Sequence, residues 1–191
     1  MEWDKNMSKE KSIKKNAAIN ALLQIANIIF PLITFPYVSR VLLVEANGRL
    51  NFCANIISYF TLFATLGLST YGIKAVARRR NNKDELSKTV QELLIINIFT
   101  TVLTIIVLIL SILFIPRFNK EWILLLIYSV NIILNVAGLS WLYTGLEEFS
   151  YITKRSIVFK FLGVLLMFVF VHSPDDYIIY AIITVFFNSR K

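Results

Sequence analysis

A chain of 191 residues that is 57% hydrophobic, carries 17% charged residues and has a mean hydropathy of +0.65 is too apolar for a soluble domain. The formal net charge of +8 would suit nucleic acid, but the basic residues lie between long apolar runs, so no nucleic-acid partner is expected. A single cysteine, Cys53, allows no intrachain disulfide, and Cys53 with His172 makes no metal-ligand set, so neither metal nor cofactor is expected.

The chain begins with a polar, lysine-rich segment over residues 1–15, in which the restart MSKEKSIKK offers Met7 as an alternative start to Met1. A secretory leader would show a shorter apolar region and a small-residue cleavage site, so the next stretch is read as a retained first span. That span, 16–39, has no charge and is long enough to cross a bilayer as a helix. It is followed by spans near 50–73, 93–116, 122–146 and 156–172, and by a run at 177–189 that stops short. Between the last two, SPDD reads as a turn whose acids can cap the following helix. The expected architecture is therefore all-α and polytopic, with about five complete transmembrane helices and a truncated sixth.

Orientation follows from the positions of lysine and arginine. Sixteen lie at the N-terminus, in the connection KAVARRRNNKDELSK, around Lys154 to Lys160 and at the C-terminal end, all on one side of this topology. Four (Arg40, Arg49, Arg117 and Lys120) lie on the other. The crowded side, including the N-terminus, is expected to face the cytoplasm, with Arg78 to Arg80 against anionic lipid headgroups.

The spans carry polar stripes. In the first, Asn16, Asn20, Gln24, Asn27 and Thr34 fall within an arc of about 80° at roughly 100° per residue. Asn51, Asn55, Ser58, Thr65 and Ser69 do so in the second, and Asn97, Thr101, Thr104 and Ser111 in the third. In the fourth, Tyr128, Asn131 and Asn135 share a face. Amides cannot face lipid cheaply, so the stripes either bond helix to helix or line a hydrated cavity. Their length favours the cavity. All twelve acids lie in connections or at span ends, which argues against an intramembrane carboxylate coupling site. Arg40, Lys74 and Lys160 are the cations nearest the spans and suit a substrate bearing phosphate. Pro31 and Pro36 interrupt the backbone ladder of the first span.

Several blocks in order resemble the N-terminal half of bacterial polysaccharide repeat-unit flippases of the Wzx type, in the multidrug/oligosaccharidyl-lipid/polysaccharide exporter superfamily. They are PYVSRVL (36–42), LNF (50–52), TYGIKAVARRRNNKDELSK (70–88), WLYTGLEEFSYITKRSIVFK (141–160) and SPDDYIIYA (173–181). The resemblance implies O-antigen or capsule biosynthesis, with undecaprenyl-pyrophosphate-linked oligosaccharide carried across the bacterial cytoplasmic membrane by alternating access between two bundles. It implies membrane lipids, that substrate and other polysaccharide-assembly proteins as partners, and no bond chemistry. Leu43 to Ala46 depart from the family's glycine-containing turn. The second bundle is absent, so this chain alone is expected not to transport. A drug or cation exporter of the same superfamily, a membrane enzyme of glycan assembly and a non-transporting fragment are the alternatives. The enzyme is disfavoured by a single histidine and no HExxH-type set.

Overall fold

The computed structural model describes the backbone of residues 2–188 and the side chains of residues 18, 19 and 21–187. All regular structure among the described residues is helical: α1 (Glu2–Val41), α2 (Leu43–Thr65), α3 (Leu68–Arg79), α4 (Lys83–Phe114), α5 (Pro116–Lys120), α6 (Trp122–Ala137), α7 (Ser140–Gly145), α8 (Phe149–Phe170) and α9 (Tyr177–Ile183). A 3-10 turn, Pro174–Asp176, precedes α9 and a π turn, Thr184–Asn188, follows it. The protein is an all-α membrane protein. Among the described residues, Ala21–Val41, Lys83–Phe114 and Trp122–Gly145 are each long and apolar enough to cross a membrane. A fourth crossing is Leu43–Thr65 with Leu68–Arg79 if the two, bent by 42°, act as one span. Helix α8 has 22 residues but carries Lys154, Arg155 and Lys160, and α9 has only seven residues before the π turn.

Local chemistry explains the boundaries. Asn82 caps α4, its Oδ1 accepting from the backbone N–H groups of Asp84 (3.2 Å) and Glu85 (3.4 Å), and both acids lie where the helix dipole favours negative charge. At 32 residues α4 is roughly 48 Å long, well beyond a hydrocarbon core of about 30 Å, so its charged N-terminal turns must stand outside the membrane. Two neighbouring helices are interrupted by residues in the left-handed region, Leu66 and Gly67 between α2 and α3 and Leu139 between α6 and α7. Helix α2 lies between α4 and α6, and after the breaks α3 packs on α7.

The core sits where α2, α4, α6 and the C-terminal helices meet, around Leu50, Cys53, Ile57, Leu108, Leu125 and Ile132. Cys53 is completely buried there as a small packing residue. A second cluster, Ala75, Val76, Leu93 and Trp141, joins α3, α4 and α7. It depends on glycine: a Cβ at Gly72 would lie 2.7 Å from the Trp141 ring, and one at Gly145 would lie 2.7 Å from Val76 and 3.0 Å from the carbonyl oxygen of Ile73. Close backbone approach between small residues is how membrane helices gain packing energy when lipid is as apolar as leucine.

The turn before α9 follows its sequence. Ser173 and Asp176 form a reciprocal capping box with Pro174 in the first position. The Asp176 Oδ2 accepts from the backbone N–H groups of His172 (3.0 Å) and Ser173 (2.8 Å). These bonds, that of His172 foremost, hold the Asp176 carboxyl below its ordinary range. A depressed folded pKa stabilises the turn above the unfolded value, near 3.9 for aspartate, and that contribution is lost as pH falls through the folded pKa. The amide resonances of His172 and Ser173 should therefore titrate with a midpoint below about 3.9, and Asp176→Asn should abolish the titration. A midpoint at or above that value would contradict the assignment.

Candidate functional site

The predicted polar residues do not share one surface. Asn16 and Asn20 lie outside the described side chains. Gln24 is exposed, Asn27 and Thr34 are half-buried, and the Asn27 amide nitrogen donates to Gln24 Oε1 at 3.5 Å. On α2, Asn51, Asn55 and Ser58 are exposed, because the face carrying Leu50, Cys53 and Ile57 takes the core contacts. On α4 the polar stripe is itself the buried face. Asn97 and Thr101 point into the bundle, and neither Asn97 Oδ1 nor Thr101 Oγ1 has a hydrogen-bond partner among the described residues. Thr104, on the same face, returns its hydroxyl to the Thr100 carbonyl at 2.7 Å. On α6, Asn131 is half-buried and Asn135 exposed. The α4 stripe thus lies between helices and that of α2 faces outward, while that of α1 divides, with Gln24 exposed and Asn27 and Thr34 turned toward α8.

The three candidate cations differ as sharply. Arg40, in the last turn of α1, is exposed. Lys74, on α3, is exposed beside Tyr71 and Arg78 in a shallow cavity of about 290 Å³. Lys160 is 8% exposed, the one buried charged side chain among the described residues. Because α8 begins at Phe149 and ends at Phe170, Lys160 sits near the middle of its helix rather than at the end of a span starting at Ser156. A cation at that depth cannot snorkel to water and requires polar partners.

Those partners come from α1, which runs along α8. Lys160 Nζ donates to Asn27 Oδ1, and its ammonium lies 6.0 Å from the centre of the Phe30 ring. Pro31 lacks the N–H that would otherwise bond the Asn27 carbonyl, so the i to i−4 ladder of α1 is broken at the level of the Asn27 amide. One turn on, Thr34 returns its hydroxyl to the Pro31 carbonyl at 3.4 Å. Thr34, Lys160, Tyr180 and Thr184 surround a void of about 20 Å³, room for one water-sized group. Farther along the seam, the Tyr37 hydroxyl donates to the Val171 carbonyl at 2.7 Å and its ring lies 4.6 Å from that of Phe168. Sequence spacing could suggest Asn27 and Lys160 separately. Their pairing could not be read there, because it depends on α1 lying against α8.

A family model described as polysaccharide biosynthesis protein matches residues 13–190. Two proteins, both named "Putative O-antigen transporter", are similar to this chain. The one from Escherichia coli (strain K12) is 27% identical over 165 residues, covering 86% of this chain and 40% of the relative. The one from Shigella dysenteriae is 26% identical over 164 residues, covering 86% and 41%. The chain spans about 40% of the length of the curated relatives it matches. No solved structure matches. With nearly every residue inside the family match, on an all-helical membrane fold, the chain belongs to the polysaccharide biosynthesis protein family.

Proposed function

We propose that this chain is the N-terminal bundle of a flippase that moves undecaprenyl-pyrophosphate-linked oligosaccharide repeat units across the bacterial cytoplasmic membrane for surface polysaccharide assembly. Helices α1, α2–α3, α4, α6–α7 and α8 are its five crossings, with the N-terminus cytoplasmic. The polar faces of α1 and α2 form one wall of the hydrated path, and the second wall comes from a further bundle. The observation that carries this reading is the buried Lys160 held by Asn27, which also bonds the exposed Gln24, on a chain whose α2 turns Asn51 and Asn55 outward. A mid-membrane cation favours an anionic headgroup over a cationic cargo. Arg40 and Lys74, near the two ends of that path, are suited to meeting the pyrophosphate as it leaves and enters. In this reading no bond is made or broken.

The test uses cells lacking their O-antigen flippase. The chain alone should leave surface glycan unrestored. A chimera in which it replaces the matching 40% of the Escherichia coli relative should restore it. Restoration by the chain alone would overturn the claim that a second bundle is needed. A chimera that reaches the membrane yet restores nothing would overturn the flippase assignment.

A further inference from the structure

A second charged feature lies away from the Lys160 seam, where α2 begins and α5 meets α6. Glu45, Arg49, Phe52, Arg117, Lys120 and Glu121 line an open groove of about 630 Å³. Two of its charges satisfy each other: Arg49 clasps Glu121 through two hydrogen bonds of 2.7 and 2.9 Å. That clasp also carries the Arg49 guanidinium to 4.7 Å from the Tyr177 ring centre, fixing α2, α6 and α9 together. The remaining charges have no ion-pair partner among the described residues. Arg117 lies over the Phe52 ring at 4.8 Å, and Lys120 and Glu45 are exposed. Arg117 and Lys120 stand three residues apart on the single turn of α5, so their head groups rise from one side.

The position of the groove defines its surroundings. It opens where the apolar run of α4 ends at the exposed Phe114 and where the exposed Trp122 begins α6. An exposed aromatic side chain beside cations at the end of an apolar helix marks the headgroup level of a bilayer. We propose that this groove is a binding site for a phospholipid with a phosphoethanolamine headgroup. Arg117 and Lys120 take the phosphate through charge-assisted hydrogen bonds, and the Glu45 carboxylate takes the primary ammonium. A glycerol headgroup would set its phosphate on the same two cations but bring no positive charge to the Glu45 carboxylate. A choline headgroup carries the charge but has no N–H to donate to the carboxylate.

Native mass spectrometry of the purified full chain, equilibrated with equal amounts of phosphatidylethanolamine, phosphatidylcholine and phosphatidylglycerol, tests this. Phosphatidylethanolamine should be retained about tenfold over phosphatidylcholine, the equivalent of one charge-assisted hydrogen bond. Glu45→Gln should bring that ratio near one by lowering the retained phosphatidylethanolamine toward the level of phosphatidylcholine. The double variant Arg117→Gln/Lys120→Gln should lower total retained lipid several-fold. In a second arm on the unaltered chain, soluble phosphoethanolamine should displace the lipid, and phosphocholine and inorganic phosphate should not. This arm stands even if a variant loses its helical circular dichroism. Preferential retention of phosphatidylglycerol, an unchanged ratio in Glu45→Gln, or displacement by inorganic phosphate would each overturn the proposal.

Discussion

Adding one methyl group at Gly145 is expected to destabilise the protein by about 2–3 kcal/mol, the scale of overpacking a closed contact. The new Cβ would meet Val76 at 2.7 Å and the backbone oxygen of Ile73 at 3.0 Å, and a backbone atom cannot swing aside. At about 2–4 °C per kcal/mol for a chain of this size, thermal unfolding in detergent should fall by at least ~4 °C. Gly72→Ala should cost less, because its obstacle is the Trp141 side chain alone, and replacing Trp141 with the smaller Leu should partly rescue it. An unchanged midpoint in Gly145→Ala would mean that α3 and α7 do not pack as described.

The second large effect is expected at the Asn27–Lys160 pair. Asn27→Leu removes an acceptor that the buried Lys160 ammonium uses across the α1–α8 seam. The cost should be about 3 kcal/mol, the upper range for a hydrogen bond to a charged group plus its desolvation. Removing both partners should be far milder, since the apolar pair Asn27→Leu/Lys160→Met strands no charge. The double variant should therefore unfold within about 1 kcal/mol of the unaltered protein. In the chimera with the Escherichia coli relative, the same pair should lower restored surface glycan at least about tenfold if Lys160 serves as the proposed contact for the phosphate. Near-normal stability with near-normal glycan would make the seam purely structural.

What the sequence made legible divides along physical lines. The apolar runs over 16–39 and 93–116 overlap helices long and apolar enough to cross a membrane, because burial in lipid acts on every residue of a segment and leaves a period-independent signal. The SPDD segment was legible as a turn, but its acids do not cap α9: Asp176 closes the 3-10 turn onto the N–H groups of His172 and Ser173 instead. The interruptions at Leu66 and Leu139 were hidden. Leucine is poorly suited to a positive φ, and these breaks come where α3 packs on α7, a contact that local sequence does not announce. The polar stripes show the same limit. Spacing put Asn97 and Thr101 on one face and Asn51 and Asn55 on another, but period alone cannot say which face meets a neighbour. The structure turns the α4 face inward and the α2 face outward. The groove of Glu45, Arg117 and Lys120 was invisible for a further reason: its charges come from two separate connections, and in sequence they read only as a sparse outer side.

The central claim, that the outward polar faces of α1 and α2 line a hydrated path, is open to one direct measurement. Single cysteines at Gln24, Asn51 and Asn55 can be compared with cysteines at Leu32 and Phe63, which are exposed but apolar in their surroundings. The native Cys53 is completely buried and contributes little background. In intact membranes of cells making the chimera, a charged, water-soluble thiol reagent should label the first three at least about tenfold faster than the last two, as expected if water reaches one set and lipid covers the other. Equal labelling of the two sets would contradict the account.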